Sequence, residues 1–212
     1  MLFDLSTIDP SLGYKLLVST ITPRPIAWVV SRDAAGVLNA APYSFFNAFS
    51  SNPPIVGVGV GPRPAGAAKD TRSNIEVTRE FVVNLVSEEM AQAMNVTAID
   101  FPPEVDELAE AGLATLPSAK IATPRIAESP VAFECVLQQI VDFGNGNGLI
   151  LGRVVAIHLR DTAVLDAANA YVDTPALKLI GRMHGTGWYA KTSDRFEMPR
   201  WTLKEWRARP RE

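Results

Sequence analysis

Two β-rich runs, FECVLQQIVDF (133–143) and LILGRVVAIHLR (149–160), are separated only by the stretch GNGNG (144–148). Asn-Gly pairs supply the positive φ angles that a tight antiparallel turn demands, so this segment reads as a long hairpin rather than a phosphate loop. No other feature constrains the fold as strongly, because a long hairpin commits its neighbours to an antiparallel sheet. Further strand-like runs occur at IAWVVS (26–31), PPIVGVGV (53–60) and FVVNLVS (81–87), and GYKLLVST (13–20) is also β-rich. Helical patterns are short. One lies near 71–79 with Asp70 or Thr71 as its N-cap, one in EEMAQAMNVTAID and one over 103–111. A fourth is TPALKLIGR, opened by Thr174-Pro175. At least six strands without regular β–α alternation exclude a doubly wound parallel sheet and predict an antiparallel barrel or sandwich with appended helices. Sixteen prolines and fourteen glycines supply the turns this needs.

The 212 residues predict a single domain spanning 1–212, with 191–212 as a polar extension carrying Trp201 and Trp206. A net charge of −3 gives no electrostatic reason to expect nucleic acid or an anionic membrane as partner. The opening MLFDLSTIDP lacks the basic and apolar regions of a signal peptide, and no apolar run reaches membrane-spanning length; the expectation is a soluble, cytoplasmic protein. The single cysteine, Cys135, excludes an intrachain disulfide and reads as a small buried hydrophobe. Two histidines, His158 and His184, have no carboxylate at ligand spacing, so no metal site is expected.

Neither dinucleotide-loop candidate holds in context. GVGVG (57–61) runs into Pro-Arg-Pro, and GTGWYA (185–190) follows a helical run rather than a strand. More telling is APYSFFNAFSSNPP (41–54), which reads as a polar loop yet carries Tyr43, Phe45, Phe46 and Phe49. Rings left in water forfeit a large burial gain, so the loop is expected to close over something flat or apolar. Around it lie groups suited to an anion. Arg24 stands between two prolines, which fix its backbone. Ser44 and nearby amides can donate hydrogen bonds. Lys69, Thr71 and the start of the following helix combine an ammonium, a hydroxyl and a helix dipole. Asn39 and Asn74 can read amide-like edges. Singly, each is as well explained by solvation or packing; together they suggest an aromatic nucleotide.

The runs ITPRPIAWVVSRDAAGVLNAAPYSFFNAFSSNPP, KDTRSN and FVVNLVS, with GRVVAIHL and LIGRMHGTGWYA later, resemble the flavin reductase-like family with the FMN-binding split barrel. The resemblance runs from about Thr20 to Asn95 and resumes in those later segments, leaving 102–130 and the C-terminal tail unmatched. It implies a mainly β, Greek-key split barrel with peripheral short helices, usually a homodimer, binding FMN. It also implies that Arg24, Lys69, Asp70 and Thr71 contact the phosphate and ribityl chain, that Asn39, Ala40 and Ala41 lie beside the ring, and that Ser44 donates to it. Phe45 or Phe46 would shield the isoalloxazine, and Asn74 would support the same loop. His184 matches a motif that lies by the nicotinamide or flavin face, although capping or packing of the preceding helix accounts for it equally well.

The activity so implied is an NAD(P)H:flavin oxidoreductase, with NADH or NADPH as co-substrate, passing electrons through FMN to a partner monooxygenase or another acceptor. An FMN electron carrier that never uses nicotinamide shares every one of these residues. A barrel that has lost its flavin is a third reading. The basic tail KEWRARPRE either clasps a second subunit through Trp201 and Trp206 or packs back on its own chain.

Overall fold

The computed structural model describes residues 1–63, 68–102 and 104–209. Strands β1 (Ala27–Arg32), β2 (Leu38–Tyr43), β3 (Phe46–Ser51), β4 (Pro54–Val60) and β5 (Glu80–Asn84) come first. A short pair follows, β6 (Thr115–Leu116) and β7 (Arg125–Ile126), and then the long hairpin β8 (Val131–Gly144) and β9 (Asn147–Leu159). Two further short pairs end the β structure: β10 (Val164–Asp166) with β11 (Tyr171–Val172), and β12 (Ile180–Arg182) with β13 (Tyr189–Lys191). The helices are α1 (Pro10–Thr20), α2 (Asp70–Thr78), α3 (Ala91–Val96), α4 (Glu107–Glu110) and α5 (Leu203–Ala208).

Seven strands form one sheet in the order β2-β1-β5-β8-β9-β4-β3, and every neighbouring pair is antiparallel. Its two edges, β2 and β3, are joined through only Ser44 and Phe45. The sheet therefore curls until its ends meet at that turn, giving a barrel with one open seam. The β8–β9 turn is the one the Asn-Gly chemistry predicts: Asn145 and Gly146 have φ of 54° and 75°.

Strand periodicity distributes the core over both faces of this wall. Ala27 and Val29 of β1 point inward with Val56, Val58, Val60, Phe81, Val83 and Ile150. Trp28 and Val30 point outward, onto Val82, Met90, Met94, Leu108 and Ile126, where α3 and α4 cover the sheet. Trp28 is fully buried, and its indole N–H donates to Thr97 Oγ1 at 2.9 Å, so no polar atom is stranded there. Burying each such side chain stabilises the fold by about 1.5–3 kcal/mol.

Four local expectations change. GYKLLVST is the helix α1: Asp9 accepts a hydrogen bond from the Ser11 amide at 2.8 Å and Pro10 opens the first turn, signals that outweigh the β-rich composition. APYSFFNAFSSNPP is mostly strand rather than loop, spanning the end of β2 and all of β3. Its rings lie across β4, where a Cβ on Gly57 would fall 2.5 Å from Phe49 and one on Gly59 2.9 Å from Phe45; these glycines exist to let the aromatics close in. The helix over 103–111 contracts to α4, and its residue 103 lies outside the described residues, as do 64–67 of the GPRPAGAAKD loop. Finally, TPALKLIGR forms one 3-10 turn (Thr174–Leu177) and then β12, so GTGWYA follows a strand; it lies in the β12–β13 hairpin with no helix behind it.

From Lys191 to Arg209 every residue is exposed. Helix α5 is held by a capping box between Thr202 and Glu205 and buries nothing. Among the described residues, no helix is long and apolar enough to cross a membrane.

Candidate functional site

Two clefts meet over the C-terminal end of β2 and share Pro42, Tyr43 and Lys69. One is polar and continues along Asn39, Ala41, Arg63, Asp70, Thr71 and Glu107. The other is more apolar and continues along Tyr14, Ser44, Phe45, Gly59 and Phe143.

The polar cleft is organised around Asn39. Its Oδ1 accepts the Thr71 hydroxyl at 2.8 Å, and its Nδ2 donates to Glu107 Oε1 at 2.7 Å. The second Glu107 oxygen accepts the Ala40 amide at 3.0 Å. Burial pushes the Glu107 carboxyl up, against the opposing pull of the Ala40 and Asn39 donors. Asn74 is buried and donates to Ser31 Oγ at 3.3 Å, which places it one step behind Asn39. Lys69 is the N-cap of α2, and among the described residues no side chain caps that helix, whose first residues Asp70 and Thr71 line the cleft with its positive dipole end. The cations here are locally compensated: Lys69 Nζ lies 3.4 Å from Asp100, and Arg63 pairs with Asp70.

The apolar cleft is walled by rings. Tyr14 of α1 lies 6.3 Å from Phe45, centroid to centroid, with their planes tilted by 38°. Phe45 is half exposed, whereas Phe46 packs against the barrel interior.

Arg24 sits behind this cleft, buried, with its donors engaged. Nε donates to Ser44 Oγ at 3.2 Å, Nη1 to the carbonyls of Val18 and Ile21 at 2.7 and 2.9 Å, and Nη2 to the Met183 carbonyl at 3.0 Å. One guanidinium thus ties the end of α1, the β2–β3 turn and the β12–β13 hairpin together. His184 is exposed on that hairpin, its ring stacked on Trp188 at 6.2 Å. Its neighbour Met183 is hooked through Arg24 to Ser44.

The structure therefore gathers Asn39, Ala41, Ser44, Phe45, Lys69, Asp70 and Thr71 along the two clefts, with Ala40, Phe46 and Asn74 behind them and Arg24 and His184 at one flank. Tyr14, Arg63 and Glu107 of the cleft walls carry no sequence signal that singles them out. Tyr43 stands inside the aromatic stretch and was visible as a ring. Glu107 lies in the acid-rich segment whose weak periodicity conceals it.

Residues 19–175 match the model of the flavin reductase like domain. The chain belongs to the flavin reductase-like family. A relative from Deinococcus radiodurans, an uncharacterised protein, is 44% identical over 208 residues, covering 96% of this chain and 91% of the relative. Among solved structures, nitrilotriacetate monooxygenase component B of Bacillus cereus superposes with a TM-score of 0.87 at 35% identity, covering 93% of this chain and 98% of that one. The 2-nitrobenzoate 2-nitroreductase of Pseudomonas fluorescens gives 0.87 at 32% identity, covering 96% and 98%. Membership of the family makes this a flavin-related oxidoreductase with the split-barrel fold.

Proposed function

We propose that the chain is an FMN-binding oxidoreductase that takes reducing equivalents from NADH or NADPH and passes them to a partner monooxygenase or a small acceptor. The observation that carries this reading is the meeting of an anion-suited cleft and an aromatic-walled cleft at Tyr43 and Lys69, which suits a ligand with a charged end and a flat apolar end. The donor set fits FMN. Lys69, Thr71 and the uncapped amides of α2 would hold a phosphate, while Pro42, Phe45 and Tyr14 would cover an isoalloxazine. Ala40 and Ala41 would lie beside the ring, and Phe46 and Asn74 would stiffen the strands that carry it. Asp70 would keep Arg63 positioned at the phosphate end. In this reading Arg24 serves the ligand through Ser44, whose hydroxyl it holds at 3.2 Å.

When bound, FMN supplies the hydride acceptance and electron transfer, so the chain needs no acid–base pair of its own. What this chain provides is a fixed floor, cover on one side, and His184 on the flanking hairpin as a candidate contact for the nicotinamide. The names of the two similar proteins, a monooxygenase component and a nitroreductase, motivate both acceptor classes as substrates to try. A homodimer is part of the reading: β3 is a sheet edge with Phe49 exposed, and such edges are covered in most native proteins.

The test is an ultraviolet–visible spectrum of the protein with added FMN, followed by anaerobic NADH and then NADPH. Flavin that binds and bleaches with either nucleotide is the expected result. Flavin that binds yet is reduced only by a protein donor points to the electron carrier. Protein that binds no FMN overturns the reading.

A further inference from the structure

Arg72 lines neither cleft, yet it joins the elements that wall both. It follows Thr71 in α2, the helix whose first residues line the polar cleft. Its Nε donates to Glu76 Oε1 at 3.0 Å within the helix, and its Nη2 donates to Asp142 Oδ2 at 2.8 Å near the tip of the β8–β9 hairpin. The other Asp142 oxygen accepts the Gly144 amide at 2.7 Å, so one carboxylate both shapes the turn and receives the guanidinium. The next residue, Phe143, is exposed and lines the apolar cleft with Asn147 and Gly148.

Gly148 shows how closely the two elements fit. A Cβ there would fall 3.2 Å from Arg72 Nη1, so the glycine lets the guanidinium lie along the hairpin. Strand β4 follows β9 only as far as Gly148, and residues 143–147 project past it. Apart from Pro62, which a Cβ on Gly146 would meet at 2.8 Å, little else braces this tip. Among the described residues, Arg72 to Asp142 is the one side-chain hydrogen bond between the hairpin and α2. The Arg72 side chain is only 16% exposed, and its guanidinium holds the Asp142 carboxyl below the ordinary value.

We propose that Arg72 is a positioning residue: it holds the hairpin wall of the apolar cleft in register with the α2 wall of the polar cleft, so that a ligand spanning both meets a preset frame. The proposal rests on the flavin reading above. Fixing two contact regions before the ligand arrives favours a molecule that touches both, whereas a molecule touching only one gains little.

The experiment measures dissociation constants for FMN and for riboflavin, which has the flat ring without the phosphate, by flavin fluorescence. The natural protein is compared with Arg72→Met, Arg72→Lys, Asp142→Asn and the Arg72→Met/Asp142→Asn double variant. Arg72→Met keeps the alkyl stem and removes the charge. It is expected to weaken FMN about three- to fivefold, the range of a surface ion pair, and riboflavin by less than about twofold. Arg72→Lys should recover part of the FMN loss, and the double variant should lose no more than Arg72→Met alone. Amide hydrogen exchange at 143–148, measured without ligand, should be faster in Arg72→Met than in the natural protein. An unchanged FMN constant, an equal loss for both flavins, additive losses in the double variant, or a weakened FMN constant with unchanged exchange at the tip each overturns the proposal and leaves the flavin reading intact. A natural protein that binds neither flavin overturns both.

Discussion

Glu107 and Glu134 are both buried carboxylates packed against the same sheet, and the fold treats them in opposite ways. Glu134, in β8, accepts the amides of Ala119 and Lys120 at 2.6 and 2.7 Å and His158 Nε2 at 2.5 Å. Burial by itself would raise its carboxyl; the His158 hydrogen bond and the two amides overcome that and hold it below its ordinary value. Glu107, in α4, has Asn39 and the Ala40 amide, and there burial prevails and the carboxyl is raised. A carboxylate given its full set of donors belongs to the architecture: Glu134 pins the 119–120 turn to the barrel. One left short of donors beside a cleft is in a different position. Glu107 aims Asn39 at the candidate site while remaining sensitive to what enters it.

The largest expected effect that sharpens this contrast is on stability. Glu134→Ala strands two amides and His158 and should lower the unfolding free energy by about 3–5 kcal/mol, read from urea denaturation. A loss under about 1 kcal/mol would break the comparison. Glu107→Ala removes fewer contacts and should cost about 1–2 kcal/mol, while weakening FMN binding because Asn39 is released.

Acid titration gives the next effect, and here the two residues have opposite signs. Glu134 has a depressed folded-state pKa, so its stabilisation is present above the unfolded value and is lost as pH falls through the folded one. The advantage of the natural protein over Glu134→Gln should therefore shrink on acidification below the ordinary 4.5. Glu107 has a raised folded-state pKa, so its contribution is complete below the unfolded value and is lost as pH rises through the folded one. The difference between the natural protein and Glu107→Gln should grow on acidification. Chemical denaturation at several pH values checks both, and parallel slopes would erase the distinction.

The smallest expected effect is a control from a region with no buried group among its described residues. Deleting 199–212 removes α5, which buries nothing, and should change the unfolding free energy by no more than about 0.5 kcal/mol. Light scattering of the same deletion tests the clasp: an oligomeric state unchanged by the deletion disposes of it.

Much of the barrel was legible because its signals are local. The β8–β9 hairpin is encoded by Asn145 and Gly146 at its turn, and β1, β4 and β5 by β-branched runs. Helix α1 was misread since its composition is β-rich and its decisive signals, Asp9 and Pro10, precede the run. The end of β2 and all of β3 read as one loop because Pro42, Ser44, Asn47, Ser50 and Ser51 punctuate the stretch and β3 is largely exposed, which removes the alternation that marks a half-buried strand. Of the residues lining the candidate clefts, Asn39, Ser44, Lys69 and Thr71 stand in motifs legible in the sequence, while Glu107 has no pattern to betray it.

By itself the sequence determined the antiparallel class, the turn of the long hairpin and the runs that mark the flavin reductase-like family. Each depends on neighbours within a few residues, where backbone preference and side-chain period act. Only the tertiary structure decided which polar groups face one another. Asn39 meets Glu107 across 68 positions, and Arg24 reaches the Met183 carbonyl across 159. Those pairings follow from strand order and register, and a hydrogen bond closing so long a loop leaves no trace in the residues beside it.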